Sequence, residues 1–378
     1  MATACGGAPP SGPAGTAAGA GTQRPSDAVP ATPVPEPKHE TYGFVPYWEM
    51  DDTIADHLAT VDLTTLALFS VTHTRRGDLD AEQNGARRIQ GELGARLIRE
   101  AQERGTRVEL VYTAFGERKN RQFYSEPEAQ ARWIEVLVDL VDDLGMDGVN
   151  VDVEGLPAEH LLDYGLFVEA LRDALLARDP AYRVSVATQA NDRGAAMALA
   201  AAAAGADRIF LMGYDYHWEG SDAGATSPID RLDGESRDLV WSLDRYAALG
   251  VPVDRTILGL PLYGLTWPVL GPGVGSPATG RGDDWVPRRN LQVFQSPTFA
   301  PQYEPIQSVE FYSVPTDPVD PDAGWNAVYY DSPRSLTPKL RLADERGLAG
   351  AGFWAIGYER GLPGYAELIA SFRAGELR

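Results

Sequence analysis

The 378-residue chain has a single cysteine, Cys5, which excludes an internal disulfide and any cysteine-built metal site. Of its five histidines, His39, His57, His73, His160 and His217, none stands at a ligand spacing such as HExxH. The sequence therefore offers no histidine-built metal centre, and no cofactor is expected. Positive charge is scarce, with 33 Lys and Arg against 54 Asp and Glu, a net charge of -21. That balance argues against nucleic acid or an anionic membrane surface as partner. It selects no substrate, because an acidic surface also serves simply to keep a protein in solution. No apolar run reaches the length of a transmembrane helix, and the glycine-rich phosphate loop of a dinucleotide-binding sheet is missing.

Large apolar residues are nearly absent from residues 1–38, which are rich in Ala, Gly, Pro, Thr and Ser. Such a stretch buries too little surface to offset chain entropy, and it reads as a disordered tail or linker ahead of one large domain at 39–378. Cys5 lies between Ala2-Thr3-Ala4 and Gly6-Gly7. Small residues around a lone cysteine resemble the mature start of a bacterial lipoprotein, although the apolar signal segment is not in the sequence and a chance cysteine in a tail explains the same residues. The expectation is an extracellular or cell-surface bacterial protein, a monomer, with Cys5 lipidation as its one route to a membrane tether.

What the chain does have is a strand that points carboxylates where a core should be apolar. In Val149-Asn-Val-Asp-Val-Glu154 three valines alternate with Asn150, Asp152 and Glu154. Period 2 sends the valines to one face and the polar groups to the other. Two carboxylates and an amide buried side by side cost several kcal/mol unless they are paired or used. A solvated edge strand is the bland alternative. The long helical stretch just before it favours a barrel strand pointing into a site.

Strand signals recur at 42–45, 66–71, 108–112, 148–153, 184–188, 208–212, 257–260 and 352–355. Helical stretches lie between them at 92–104, 127–144, 161–178, 192–204, 236–249 and 336–346. Eight strands alternating with helices predict an α/β fold, a (β/α)8 TIM barrel. The exception is residues 266–327, between the seventh strand and the last helix, which open with Gly271-Pro-Gly-Val-Gly-Ser-Pro277 and continue with strand-like pieces at 309–313 and 326–330. This is too long for a loop and too short for a domain, and it predicts a small α+β insertion walling one side of a cleft.

Asp147-Gly-Val-Asn-Val-Asp-Val-Glu154 is similar to the DGxDxDxE signature of glycoside hydrolase family 18, the chitinase-like barrels. Leu211-Met-Gly-Tyr-Asp-Tyr216 resembles that family's sixth-strand element, Leu258-Gly-Leu-Pro-Leu-Tyr-Gly264 its seventh, and Gly350-Ala-Gly-Phe-Trp-Ala355 its eighth. Gly43-Phe-Val-Pro-Tyr-Trp48 is in keeping with its first. The chain departs from the commonest signature at Asn150, where Asp is usual. Asn there resembles bacterial branches that hydrolyse cell-wall and spore peptidoglycan, which leans the substrate toward a peptidoglycan-type glycan.

The resemblance implies a retaining, substrate-assisted hydrolysis of β-1,4-linked N-acetylglucosamine glycans, whether chitin-type or peptidoglycan, in which the enzyme supplies no nucleophile. Glu154 is then the general acid/base, Asp152 the group that orients the acetamido nitrogen, and Tyr214 a donor to the acetamido oxygen. Trp354 would floor the reacting sugar. Asn150, Asp147, Asp215, Tyr47, Trp48, Tyr216, Tyr263 and Trp267 complete the expected substrate-binding set, with Trp218 a further platform and His217 more in keeping with a structural role. The Asp152 and Glu154 α-carbons should lie roughly 6.6 Å apart, two strand rises, close enough for one charge to raise the pKa of the other. The Asn150 amide is expected to donate to Asp152 and keep it ionised. The alternatives are an inactive glycan-binding lectin on the same barrel and a scaffold that only binds partners. Intact Glu154, Asp152 and Tyr214 count against both.

Overall fold

A computed structural model describes residues 38–377; the expected tail and the Cys5 tether lie outside the described residues. Seven strands follow one another with helices between them: β1 (Glu40–Pro46), β2 (Thr65–Val71), β3 (Arg107–Phe115), β4 (Gly148–Glu154), β5 (Arg183–Gln189), β6 (Arg208–Met212) and β7 (Thr256–Pro261). Five more, β8 (Gly264–Val269), β9 (Asp283–Trp285), β10 (Gln302–Glu304), β11 (Val309–Pro315) and β12 (Trp325–Tyr330), precede the eighth barrel strand, β13 (Gly350–Trp354). The barrel closes in the order β1-β13-β7-β6-β5-β4-β3-β2, with every pairing parallel. The remaining five strands form a separate antiparallel sheet, β10-β11-β12-β8-β9. The fold is thus a (β/α)8 barrel with a small sheet inserted after β7.

The outward faces of the strands pack against the helices. Helix Pro127–Leu144 buries Ala129, Trp133, Leu137, Val138 and Val141, a stripe at helical spacing, and Val149, Val151 and Val153 of β4 are buried on the same outer layer. Gly145 ends that helix in the left-handed conformation (φ 65°), as glycine readily does just past a helix C-terminus. Three residues later Gly148 lets β4 approach β5: a Cβ there would sit 2.1 Å from the Arg183 carbonyl oxygen.

The barrel interior is a second, aromatic core of Tyr42, Phe44, Phe69, Val111, Phe210, Met212 and Ile257. Phe210 fills its centre because Gly259 and Gly352 leave room; a Cβ on either would fall 2.3 and 2.5 Å from the ring. The sequence reading missed helices Ile54–Leu58, Asn84–Ile89 and Glu117–Tyr124, all too short for periodicity to mark. It also took the helix near 336–346 as the last. That helix runs Pro333–Glu345, and Tyr365–Ala374 follows β13.

Candidate active site

β4 carries Asn150, Asp152 and Glu154 into the barrel, in register with Val111, Thr113 and Phe115 of β3. Exposure rises along that face. Asn150 is fully buried, Asp152 is 5% exposed, and Glu154 is partly exposed at the strand's C-terminal end. There a cleft of about 860 Å3 opens, lined by Asp152, Glu154, Tyr214, Asp215 and Trp354 together with Tyr47, Trp48, Tyr216, Trp218 and Tyr263. β13 stands across the ring from β4, so Trp354 faces the carboxylates. Its ring is wedged edge-on against Phe69 at 4.8 Å and tilted on Phe44 at 5.6 Å, which fixes the floor of the cleft.

Burial pushes the Asp152 carboxyl well above the usual carboxylate range, and the Glu154 charge pushes it further. Glu154 is raised as well, first by burial; a hydrogen bond from Gln189 Nε2 to its Oε2 at 2.9 Å opposes this, and the Asp215 charge reinforces it. Two neighbouring carboxyls that both resist ionisation hold a proton between them at pH values where isolated carboxylates have lost theirs. That is the condition a general acid requires. Asp152 Oδ1 is buried with no hydrogen-bond partner. An enclosed carboxyl oxygen left unpaired is costly, and only the small part of Asp152 that reaches the cleft is open to a ligand.

Tyr214 is partly buried in the cleft wall, and its phenol is held protonated by burial and by the charges of Asp152, Asp215 and Glu154, so it remains a hydrogen-bond donor. Asp215 sits beside it with φ 62°, an uncommon conformation for a residue with a side chain. Its backbone N–H donates to Thr226 Oγ1 at 3.0 Å, and its carboxylate accepts from the hydroxyls of Tyr263 and Thr226. Asp215 has open access to the cleft yet is walled by protein on its other sides; that desolvation raises its pKa and the Tyr263 and Thr226 hydrogen bonds pull it back.

Four expectations need correction. Asp147 is at the opposite end of β4, where its Oδ2 accepts from Val108 N (2.7 Å) and Gln102 Nε2 (3.0 Å); it joins β3 to β4 beneath the barrel and touches no cleft. Trp267 is 1% exposed and packs on Tyr329 inside the inserted sheet, because alternation along β8 turns it inward. Asn150 lies beneath the cleft surface, with its side-chain N–H donated to Ser185 Oγ at 2.7 Å. No hydrogen bond joins it to Asp152, and burial raises the Asp152 pKa instead of the carboxyl being held ionised. Tyr216 lines the cleft, and its hydroxyl donates to Ser242 Oγ at 2.6 Å. His217 is buried against the Asp222 carbonyl (2.9 Å), a structural position.

Sequence reasoning missed what holds Trp48. Its Nε1 donates to Tyr358 OH at 3.0 Å, and the neighbouring Glu49, 2% exposed, accepts from both Arg288 and Arg360 at 2.5 Å. The same two arginines clamp Asp51 at 2.6 and 2.7 Å. Burial alone would raise the Asp51 pKa, but hydrogen bonds from Arg360, Thr53 and Arg288 outweigh it and hold the carboxyl far below its usual range. The network ties the β1 loop to the segment after β9 and to the turn after β13. No sequence pattern joins residues 49, 288 and 360.

The model of the glycosyl hydrolases family 18 matches residues 41–359. The cortical fragment-lytic enzyme of Bacillus subtilis is 24% identical over 305 residues, covering 78% of this chain and 65% of that protein; the chain thus spans just under two thirds of that relative's length. Among solved structures, the Bacillus cereus spore cortex-lytic enzyme SleL superposes with a TM-score of 0.69 at 19% identity, over 89% of this chain and 76% of that one. A class V chitinase from Nicotiana tobaccum, solved in complex with NAG4, superposes with a TM-score of 0.72 at 16% identity, over 90% of this chain and 100% of that one. At such identities the superpositions establish the fold.

Proposed function

The chain belongs to the glycosyl hydrolases family 18, and from that premise we propose that it cleaves β-1,4-linked glycans containing N-acetylglucosamine by retaining, substrate-assisted hydrolysis. The observation that carries this reading is the pair Asp152 and Glu154. They share one inward face, both are raised by burial, and both line the cleft that Trp354 floors.

In this reading the sugar's C–H face lies on Trp354, and the Asp152 carboxyl accepts the acetamido N–H. The acetamido oxygen, held by the Tyr214 hydroxyl, attacks the anomeric carbon. As the glycosidic bond breaks, Glu154 gives its proton to the leaving oxygen, and the sugar becomes a cyclic oxazolinium ion stabilised by Asp152. A water then adds at the anomeric carbon and loses its proton to Glu154, which reopens the acetamide and restores the resting state. Hydrolysis leaves the anomeric configuration unchanged, since the carbon is inverted twice: the acetamido oxygen attacks opposite the leaving group, and water then attacks from the face the leaving group vacated.

Relatives named for spore cortex and for chitin support both peptidoglycan and chitin-type oligomers as substrate. We further propose that the protein acts at the cell surface or outside the cell, and as a monomer. The test is incubation with chito-oligosaccharides and with purified peptidoglycan, the products being identified by mass spectrometry, beside Glu154→Gln. Products with a new reducing-end N-acetylated sugar, lost in the variant, are the expected result. Retained binding with no product from either substrate would overturn the reading in favour of a lectin.

A further inference from the structure

Helix Glu117–Tyr124 follows β3 directly and brings Lys119 to the cleft wall beside β2. Lys119 is half-buried, and its Nζ donates to Thr72 Oγ1, whose own hydrogen goes to the Thr113 carbonyl at 2.6 Å. Among the described residues it has no carboxylate within 4.0 Å. Burial lowers its pKa, and the more distant Asp80 charge opposes this. A cation that surrenders hydration without gaining a counter-ion is out of place in a chain of net charge -21, unless a ligand supplies the anion.

Lys119 also lines a second pocket of about 270 Å3, shared at this one residue with the catalytic cleft. Its other walls are Arg75, Arg118, Gln122, His73 and Phe123; no carboxylate lines it. Arg118 makes no ion pair or hydrogen bond among the described residues, and Arg75 reaches only the Gln122 amide oxygen. His73 is held neutral by burial, its pKa lowered to about 4, with Nδ1 donating to the Thr74 carbonyl at 2.9 Å. The positive charge thus comes from Lys119, Arg75 and Arg118 together. By contrast, the acidic groups of the catalytic part of the cleft, Asp152, Glu154 and Asp215, are all shifted toward their protonated forms by burial. An acidic glycan entering this cleft meets carboxyl groups at the reacting bond and cations only at one rim.

We propose that this side pocket binds a carboxylate carried by the glycan, so that the enzyme selects N-acetylated glycans with an acidic substituent over neutral chitin-type chains. The inference rests on the hydrolase reading for the placement of the sugar backbone. A lactyl ether on the sugar and a peptide attached through it both offer this chemistry. An ammonium and two guanidiniums suit either, since hydrogen bonds between ionised partners are the strong ones.

The test is calorimetric binding to Glu154→Gln protein of short muramyl-containing glycans in three forms: free lactyl carboxylate, lactyl amide, and lactyl-linked peptide with its own carboxylates. Carboxylate forms should bind about tenfold to a hundredfold more tightly than the amide, and whichever acidic form binds best identifies the source. In Lys119→Met/Arg118→Gln the carboxylate-to-amide ratio should fall to about one, with binding of the amide showing that the variant is folded. Equal affinity of the unaltered pocket for acid and amide overturns the proposal, as does a ratio that survives the double substitution. Turnover by the unsubstituted protein is read separately. Acid-selective binding with no hydrolysis overturns the hydrolase reading and keeps the pocket, whereas hydrolysis of acid and amide at equal kcat/KM does the reverse.

Discussion

Asn150 donates its side-chain N–H to Ser185 Oγ at 2.7 Å, and Ser185 passes its own hydrogen to Glu109. Tyr42 also donates to that carboxylate at 2.6 Å. With the Ser185 hydrogen committed to Glu109, only its lone pairs face Asn150, so the amide must turn its nitrogen there. The Asn150 oxygen is left buried and unpartnered, like Asp152 Oδ1. Asp152 consequently receives no hydrogen bond from below, and nothing offsets the burial that raises its pKa.

Replacing Asn150 by Asp adds a third carboxyl to the face that holds Asp152 and Glu154. Its charge would raise the proton affinity of both, so the two limbs of the pH profile of kcat/KM should move toward higher pH. Profiles of both proteins from pH 3 to 9 check this. An unmoved profile would mean that residue 150 does not communicate with the pair.

Glu154→Gln removes the proton donor while keeping shape and the partner Gln189. Loss of a positioned general acid costs about 10²- to 10⁴-fold in rate. The expected result is a fall of that size in kcat with KM changed only a few-fold, measured on a chromogenic or oligomeric N-acetylglucosamine substrate.

Asp152 also has a stability signature. Its folded pKa is raised, so the folded chain holds this proton more tightly than the unfolded chain does. Stability from that difference is fully present below the unfolded pKa, near 4, and is lost as pH rises through the folded pKa. Asp152→Asn should therefore raise the melting temperature at pH 8 and change it little at pH 4, as thermal unfolding at the two pH values would reveal.

Much of this site was legible because β4 alternates strictly: three valines outward dictate where Asp152 and Glu154 point. The eight strands were legible for a related reason, since each is a short apolar run bounded by turns. Asp147 was misplaced because the motif's adjacency in sequence hides that strand β4 runs the height of the barrel, with its first and last residues at opposite mouths. Trp267 was misplaced because alternation along β8 turns it into the apolar core continuous with the barrel's outer layer, which a single tryptophan in a Gly/Pro-rich stretch does not announce. Lys119 went unnoticed because its eight-residue helix has a polar sequence, ERKNRQFY. Only the fold puts it beside Thr72.

Trp48 is 42% exposed and anchored by Tyr358, so its truncation should spare the fold. An aromatic contact is worth about 0.5–1.5 kcal/mol beyond area. Trp48→Ala should thus raise KM by about two- to tenfold with kcat nearly unchanged, in steady-state kinetics on the longest soluble oligomer cleaved.

Just after β12, Asp331 forms an ion pair with Lys339 of helix Pro333–Glu345 at 2.6 Å, the Lys339 and Asp331 side chains being 0% and 1% exposed. Burial pushes each toward its neutral form, and their mutual attraction opposes this. Breaking such a pair from one side costs about 3–5 kcal/mol. Lys339→Met should destabilise by that amount in denaturant unfolding, and Lys339→Met/Asp331→Leu should recover most of it.

The central claim is that the substrate's own acetamido group, positioned by Asp152 and Tyr214, performs the attack. The most direct measurement is proton NMR of the first products from two otherwise identical oligomers, one N-acetylated at the reacting sugar and one with a free amine there. The account predicts β-anomer product from the first and no cleavage of the second. Comparable cleavage of the free-amine oligomer, or initial release of the α-anomer, would contradict it.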